Sequence, residues 1–321
     1  MATSSLEASY NKVMRGKDLL SASVSFRLRE HGFNTRFVSL EHVQELKEAI
    51  EKAHSERLFD EEFYLYLRPW FDFTIPADIS EVRSVIVVAS PQPALKVTFM
   101  WKGQPHEAII PPTYASDTDQ QVRDCITEEI KSAGYRLVNA PLPKKLLAVR
   151  SGLARYGKNN ITYIEGMGSF HRLTSFYTDA PLSGDTWQEL QMLDRCQTCT
   201  TCVKKCPTGA ISPDRFLLHA EKCLTYHNES EEPFPEWIDR SWHNCLVGCI
   251  ICQNVCPVNK PFVGWVVHEA TFSEEETELI LKGAPKDDLP PEMQEKLTRI
   301  NMLRYFKLLS SNLNALLNAR N

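Results

Sequence analysis

Cys196, Cys199, Cys202 and Cys206, followed at once by Pro207, spell C-x2-C-x2-C-x3-C-P, and an incomplete second copy stands at Cys249, Cys252 and Cys256-Pro257. Thiolates three residues apart converge on separate corners of one iron–sulfur cube, because a loop running into a helical turn brings positions i and i+3 to the same side. The fourth cysteine of such a run characteristically ligates the other of two clusters. That logic gives Cys196, Cys199, Cys202 and Cys256 to a first 4Fe-4S cluster. It gives Cys206, Cys249 and Cys252 to a second, with Cys223 as the natural fourth ligand. Cys245, four residues before Cys249, either replaces Cys223 or stays free. C-x2-C pairs also build tetrahedral zinc sites, but those rarely put three cysteines at successive x2 spacing ahead of Cys-Pro. The chemistry expected is one-electron transfer. Lys204, Lys205 and Lys222 lie beside the ligands and either raise the clusters' potential or stay solvated.

Nine of the ten cysteines fall between Cys196 and Cys256, and such crowding is read as metal ligation, since disulfides are not expected in the cytosol. Cys125 reads as a small buried apolar residue. At 321 residues, 43% hydrophobic and 24% charged, the chain can bury a full core. Its 36 Lys plus Arg against 41 Asp plus Glu leave a net charge of -5, with no broad pull toward nucleic acid or anionic membrane. The stretch Met1 to Leu20 mixes charges through its apolar residues and offers no signal-peptide core, and runs such as Val85 to Ala89 are too short to span a bilayer. A cytoplasmic protein with no membrane partner is expected.

The elements that must position the cysteines come first in the chain. Leu6 to Leu67 reads as mostly helical around a turn at Gly32-Phe33-Asn34. Ser84 to Ala89 is a β-branched run of the kind that fills a buried strand, followed by strands at Leu95 to Trp101 and His106 to Ile110. Asp117 to Ala133 reads as an amphipathic helix, Tyr135 to Asn139 as a short strand and Lys144 to Leu153 as another helix. Asn160 to Ile164 and Ser169 to Thr178 read as a hairpin about Gly166-Met167-Gly168. The fold class expected is an α/β (α+β) core with a mixed sheet over 1–190, a bacterial-ferredoxin-like module for two clusters over 191–262, and C-terminal helices over 263–321. Those helices carry an S-x-x-E box at Ser273 and a stripe of Met302, Phe306, Leu309, Leu313 and Leu316 that should pack back on the core.

Ala140-Pro141-Leu142, Ser151 to Asn159, Gly168-Ser169-Phe170 and Thr178 to Leu182, followed in that order by the cysteine array, resemble the epoxyqueuosine reductase family over about Ser84 to Lys260. The resemblance implies a cobalamin-binding core whose cobalt receives electrons from the two clusters and reduces an epoxide on a modified tRNA base. Reductive dehalogenases are more distant relatives with the same pairing of cofactors. It also implies that Gly152, Gly157, Lys158, Asn159, Gly168, Ser169 and Phe170 surround the corrinoid. Glycines let backbone approach a large macrocycle, and amides with a lysine can bind its amide rim and phosphate.

Departures from the family touch substrate chemistry. The position of the family's proton-donating aspartate is Val138, followed by Asn139, and valine has no proton to give. The family's Leu-Glu-Arg is replaced by Pro143-Lys144-Lys145, and its Gly-Trp by Ala154-Arg155. The catalytic acid is thus unassigned, with Tyr156 and Asp179 as the candidates. His171, three residues after Gly168, is a candidate axial ligand or acid–base group. No Walker loop or dinucleotide fingerprint is present, so a ferredoxin or flavodoxin is the expected electron donor. The acceptor is a substrate or partner protein still to be identified; tRNA is the less favoured partner, because the helical-repeat tail of longer relatives is not seen. An electron-transfer protein without cobalamin and a true epoxyqueuosine reductase are the alternatives.

Overall fold

The computed structural model describes residues 3–77, 79, 81–115 and 117–318. The β-branched strand β2 (Ser84–Pro91) is its centre, flanked by β1 (Asn34–Ser39) on one side and β8 (His171–Thr178) on the other, with β5 (Leu137–Asn139) beyond β8. All three pairings are antiparallel. The side chains of β2 alternate between two cores, as a doubly covered strand requires. Val85, Val87 and Ala89 pack with Leu46 of α2 (His42–Ser55) and Leu147 of α5 (Lys144–Arg150). Ile86 and Val88 pack with Val24 and Leu28 of α1 (Thr3–Glu30) and Val122, Ile126 and Ile130 of α4 (Asp117–Ser132). The short helix α3 (Glu61–Leu67) lies between α2 and β2 in the chain, its first turn capped by Asp60, which accepts from the Phe63 amide.

The mixed sheet is the smaller one. In it, β3 (Ala94–Trp101) pairs antiparallel with β4 (Gln104–Ile110) and parallel with β9 (Val266–Phe272). Its inner face, with Val97, Phe99, Ala270 and Phe272, is covered by α9 (Glu274–Leu281), α10 (Pro291–Arg299) and α11 (Phe306–Asn318). The Ser273 capping box forms as its sequence demands, and Met302, Phe306, Leu309, Leu313 and Leu316 are all buried.

Three sequence expectations are corrected. Asn34–Ser39, inside the region read as helical, is a strand: its adjacent Phe37 and Val38 point to opposite faces and gain burial in the two cores on either side of the sheet. The hairpin about Gly166-Met167-Gly168 is a single bridge from Ile164 to Gly168; β7 (Thr162–Tyr163) pairs with β6 (Arg155–Tyr156), while β8 is drawn to β2, where Phe176 and Tyr177 are enclosed. The larger sheet is antiparallel rather than mixed, because the strand after α4 pairs with β8 and not with β2. The segment Val266–Phe272 had no strand expectation. Among the described residues no helix is long and apolar enough to cross a membrane.

Candidate iron–sulfur centre and adjoining clefts

Both Cys-Pro motifs are built alike. Cys202 lies in the one-turn helix α6 (Thr201–Lys205), which ends where Cys206 turns extended ahead of Pro207. Cys252 lies in α8 (Ile251–Asn254), and Cys256 is extended ahead of Pro257 in the same way. α6 and α8 pack side by side. Cys196 sits in a 3-10 turn before α6, and Cys223 caps α7 (Leu224–Asn228). All ten cysteines are free of disulfides.

Their electrostatics fall into two sets. Burial pushes the Cys196 and Cys202 thiols up, and each is raised further by the charges of Cys199 and Cys256. Cys199, the least enclosed of the first set, is held down instead by hydrogen bonding from Thr201. In the second set burial pushes Cys249 up to about 11, with the charges of Cys223 and Cys206 adding to it. Cys252 lies well above its ordinary value through burial, then through Cys249 and Cys223. Thiolates so crowded cannot all ionise unless cations stand among them, and the irons of a cluster are such cations. The pair of helical turns, each ending at Cys-Pro, fits clusters, whose thiolates stand at separate corners. Cys223 feels Cys206, and Cys245 feels Cys249 and Cys252 but lies in a small core with Ala94, Phe170 and Ile250, its thiol 3.2 Å from the Asn244 side-chain oxygen.

The residues that the resemblance assigns to a corrinoid are engaged elsewhere. Lys158 donates to the Cys199 carbonyl at 3.2 Å. Asn159 donates to the Tyr163 hydroxyl at 3.0 Å and to the Cys252 carbonyl at 3.4 Å. A Cβ on Gly157 would stand 2.5 Å from the Tyr163 ring, and one on Gly168 2.5 Å from Asn259 Oδ1 and 2.7 Å from the Phe262 ring. Ser169 bonds Asn259 and Gln253, and Phe170 is wholly buried beside Phe262. Only Gly152, with φ +73, and Ser169 line clefts on the core side. The close backbone approach is made to the cysteine module at Gly168, and at Gly157 to Asn159 and Tyr163 of the core.

The catalytic candidates do not meet. Val138 packs against the α2/α5 core and pairs with Tyr177 across the sheet. Asp179 accepts from the Arg136 amide at 2.7 Å and so anchors a loop. Tyr156 is a core aromatic against Phe216, its ionisation suppressed by burial. His171 uses both ring nitrogens, Nδ1 facing the Gly168 carbonyl at 3.2 Å and Nε2 the Thr162 hydroxyl at 3.0 Å.

Sequence reasoning missed the residues that line two clefts meeting at Lys144. One, of about 310 Å³, runs between the core and the cysteine module past Lys144, Lys145, His171, Arg172 and Gln253. The other, of about 280 Å³, lies among α4, β5 and β8 past Asp119, Arg123, Asn139, Lys144 and Thr174. Lys144 and Lys145 keep exposed surface, but it opens into these clefts, and the protein around them lowers the pKa of both by desolvation. Lys145 also feels the charges of Cys223, Glu229 and Cys252. The sequence signs of this region were the departure at Lys144-Lys145 and the candidates Ser169 and His171.

Residues 195–259 match a family described as a 4Fe-4S double cluster binding domain. The chain is 34% identical over 170 residues to an epoxyqueuosine reductase of Cyclobacterium marinum, covering 52% of each protein. It is 36% identical over 145 residues to that of Xanthomonas campestris pv. campestris, covering 44% of this chain and 39% of the relative. The matched stretch spans about half the length of the curated relatives. The solved epoxyqueuosine reductase of Streptococcus thermophilus superposes with a TM-score of 0.63 over 92% of this chain and 80% of that one, at 16% identity, a likeness of fold. The chain thus sets a segment that matches the double-cluster family on an α/β scaffold and is similar, over about half its length, to epoxyqueuosine reductases.

Proposed function

We propose that the protein is an iron–sulfur oxidoreductase that passes single electrons from an external donor through two 4Fe-4S clusters to the cleft walled by Lys145, His171 and Arg172. The observation that carries this reading is the division of eight cysteines into two coupled sets, the second of which acts on Lys145. The first set, with Cys199 least enclosed, is the side for electron entry from a ferredoxin or flavodoxin. The second set is the side for exit. Bound clusters supply the one-electron chemistry; the chain's own residues hold them, exclude water with Phe170 and Tyr163, and set cationic Lys145 beside anionic thiolates.

A second reading puts a cobalamin between the second cluster and the substrate. It is favoured by the open cleft beside Gln253, whose far wall includes Ser169 and His171. The seven residues assigned to the corrinoid do not fit as its cradle, since most of them are bonded to, or packed against, the cysteine module, so no step is routed through that group. A true epoxyqueuosine reductase would further need a proton from a group other than Val138.

Anaerobic reconstitution with iron and sulfide, in the presence of cobalamin, tests these readings by metal counting and electron paramagnetic resonance. About eight irons per chain are expected; about four or fewer, or zinc in their place, would sink the two-cluster reading. About one tightly bound cobalt with a base-off signal would establish the second reading. Turnover of tRNA bearing epoxyqueuosine by the reduced protein would establish the third.

A further inference from the structure

We propose that the cleft among α4, β5 and β8 is the substrate site and that it takes a small organic anion, a molecule bearing a carboxylate or a phosphate. The inference rests on the oxidoreductase reading and deepens it, because Lys144 lines both this cleft and the one at which electrons emerge.

Four cations face the joined clefts: Arg123, Lys144, Lys145 and Arg172. Among the described residues one carboxylate lines them, Asp119, and both of its oxygens are taken by Arg172 at 2.6 Å. The partners of Arg123 among the described residues are neutral, the Asn139 side-chain oxygen and the Phe176 ring, 5.3 Å from the centroid. Lys144 has no hydrogen bond or ion pair among the described residues, and Lys145 has one long bond, 3.4 Å, to the Asn160 carbonyl. Glu229, the further carboxylate that Lys145 feels, is held toward its neutral form by burial and bonded to the Tyr114 hydroxyl.

Four cations against one carboxylate, itself held by Arg172, leave an excess of positive charge on the cleft walls, and a bound anion offsets it. A third donor stands with them. Thr174, 6% exposed, lines the cleft among α4, β5 and β8 beside Arg123 and Lys144, and its buried hydroxyl has no partner among the described residues. A guanidinium fork, an ammonium and a hydroxyl on the walls of one cleft make an oxyanion receptor. At about 280 Å³ the cleft takes a metabolite-sized group and not a nucleic-acid backbone. A neutral substrate would leave the cations unpaired, which is how such a site rejects it.

Calorimetric titration of the iron-loaded protein with benzoate, phenyl phosphate and the neutral isostere benzamide tests the site. At least one anion is expected to bind about tenfold or more tighter than benzamide, with affinity falling as salt rises. Lys144→Gln and Arg123→Gln should each weaken that anion by about tenfold and Thr174→Val by severalfold, while Lys144→Arg restores binding. Whichever anion binds tighter identifies the carboxylate or phosphate class. Benzamide binding as tightly as the anions, neither anion binding, or anion affinity untouched by Lys144→Gln overturns the proposal. Iron content and the reduced-cluster signal of the same samples are separate readouts. Loaded clusters without anion binding sink the anion site alone; anion binding in protein that cannot load clusters sinks the oxidoreductase reading alone.

Discussion

Asn259 and Ser169 grip each other twice across the boundary between the cysteine module and the core: the Ser169 amide donates to Asn259 Oδ1 at 2.9 Å, and Asn259 Nδ2 donates to the Ser169 hydroxyl at 2.7 Å. Both are buried, and Asn259 Nδ2 also donates to the Gln253 carbonyl at 2.9 Å. Asn259 lies three residues after Cys256 and bonds that residue's carbonyl through its own amide. Asn259→Ala therefore orphans the Ser169 amide and the Gln253 carbonyl, at a cost of about 1–3 kcal/mol for each group left unpaired. The expected result is a lower denaturation midpoint and faster loss of iron through gel filtration, with Ser169→Ala milder. Retention of iron equal to that of the unaltered protein would show that this clamp does not hold the module.

Cys223 and Cys245 make a matched pair for testing the ligand assignment. Cys223 is coupled to Cys206 and Cys249, while the Cys245 thiol is packed in a core against Phe170 and Ile250. Cys223→Ala is expected to reduce the iron content from about eight to about four per chain. Cys245→Ala should keep the full complement, with a stability loss of about 1 kcal/mol for the small cavity. The opposite pattern would exchange the two roles.

The cysteine spacing made the centre legible before any coordinates, because a cluster fixes its ligands by local turns, and local turns are written in consecutive residues. The strand Ser84–Pro91 was legible for a related reason: a run of Val and Ile has few other uses. What could not be read is what depends on distant partners. Asn34–Ser39 becomes a strand only because β2 lies beside it, and Val266–Phe272 only because β3 offers an open edge. Gly157 and Gly168 are closely approached and Gly166 is not, and spacing cannot say whether an approaching group is a cofactor or Phe262. Arg123, Lys144, Thr174 and Arg172 come from three elements and share no motif, so their placement on two clefts that share Lys144 is visible in the fold alone.

His171 gives stability a pH dependence. Burial, with Lys145 adding to it, holds its pKa at about 4, against 6.5 for the unfolded chain. Below pH 6.5 the unfolded state takes up the proton first, so this contribution is present above 6.5 and is lost as pH falls toward about 4. The span corresponds to roughly 3 kcal/mol. The gap in unfolding free energy between the unaltered protein and His171→Gln should therefore narrow by about that amount between pH 7 and pH 4. A gap constant across the range would mean that His171 titrates normally in the folded state.

Electron entry at the first cluster is testable by charge. Arg195 and Lys158 act on Cys199, and Lys204 and Lys205 are exposed at the end of α6. An acidic donor is steered to such a collar, so the double change Lys204→Glu, Lys205→Glu should slow reduction by flavodoxin about tenfold at low ionic strength. Added salt should shrink that difference, since exposed charges are screened beyond about 10 Å at 0.1 M. Reduced methyl viologen, a cation, should show no such slowing, which separates a lost docking surface from a damaged cluster. Equal rates with flavodoxin at every salt concentration would place entry on another face, and the exposure of Cys199 would then need a different explanation.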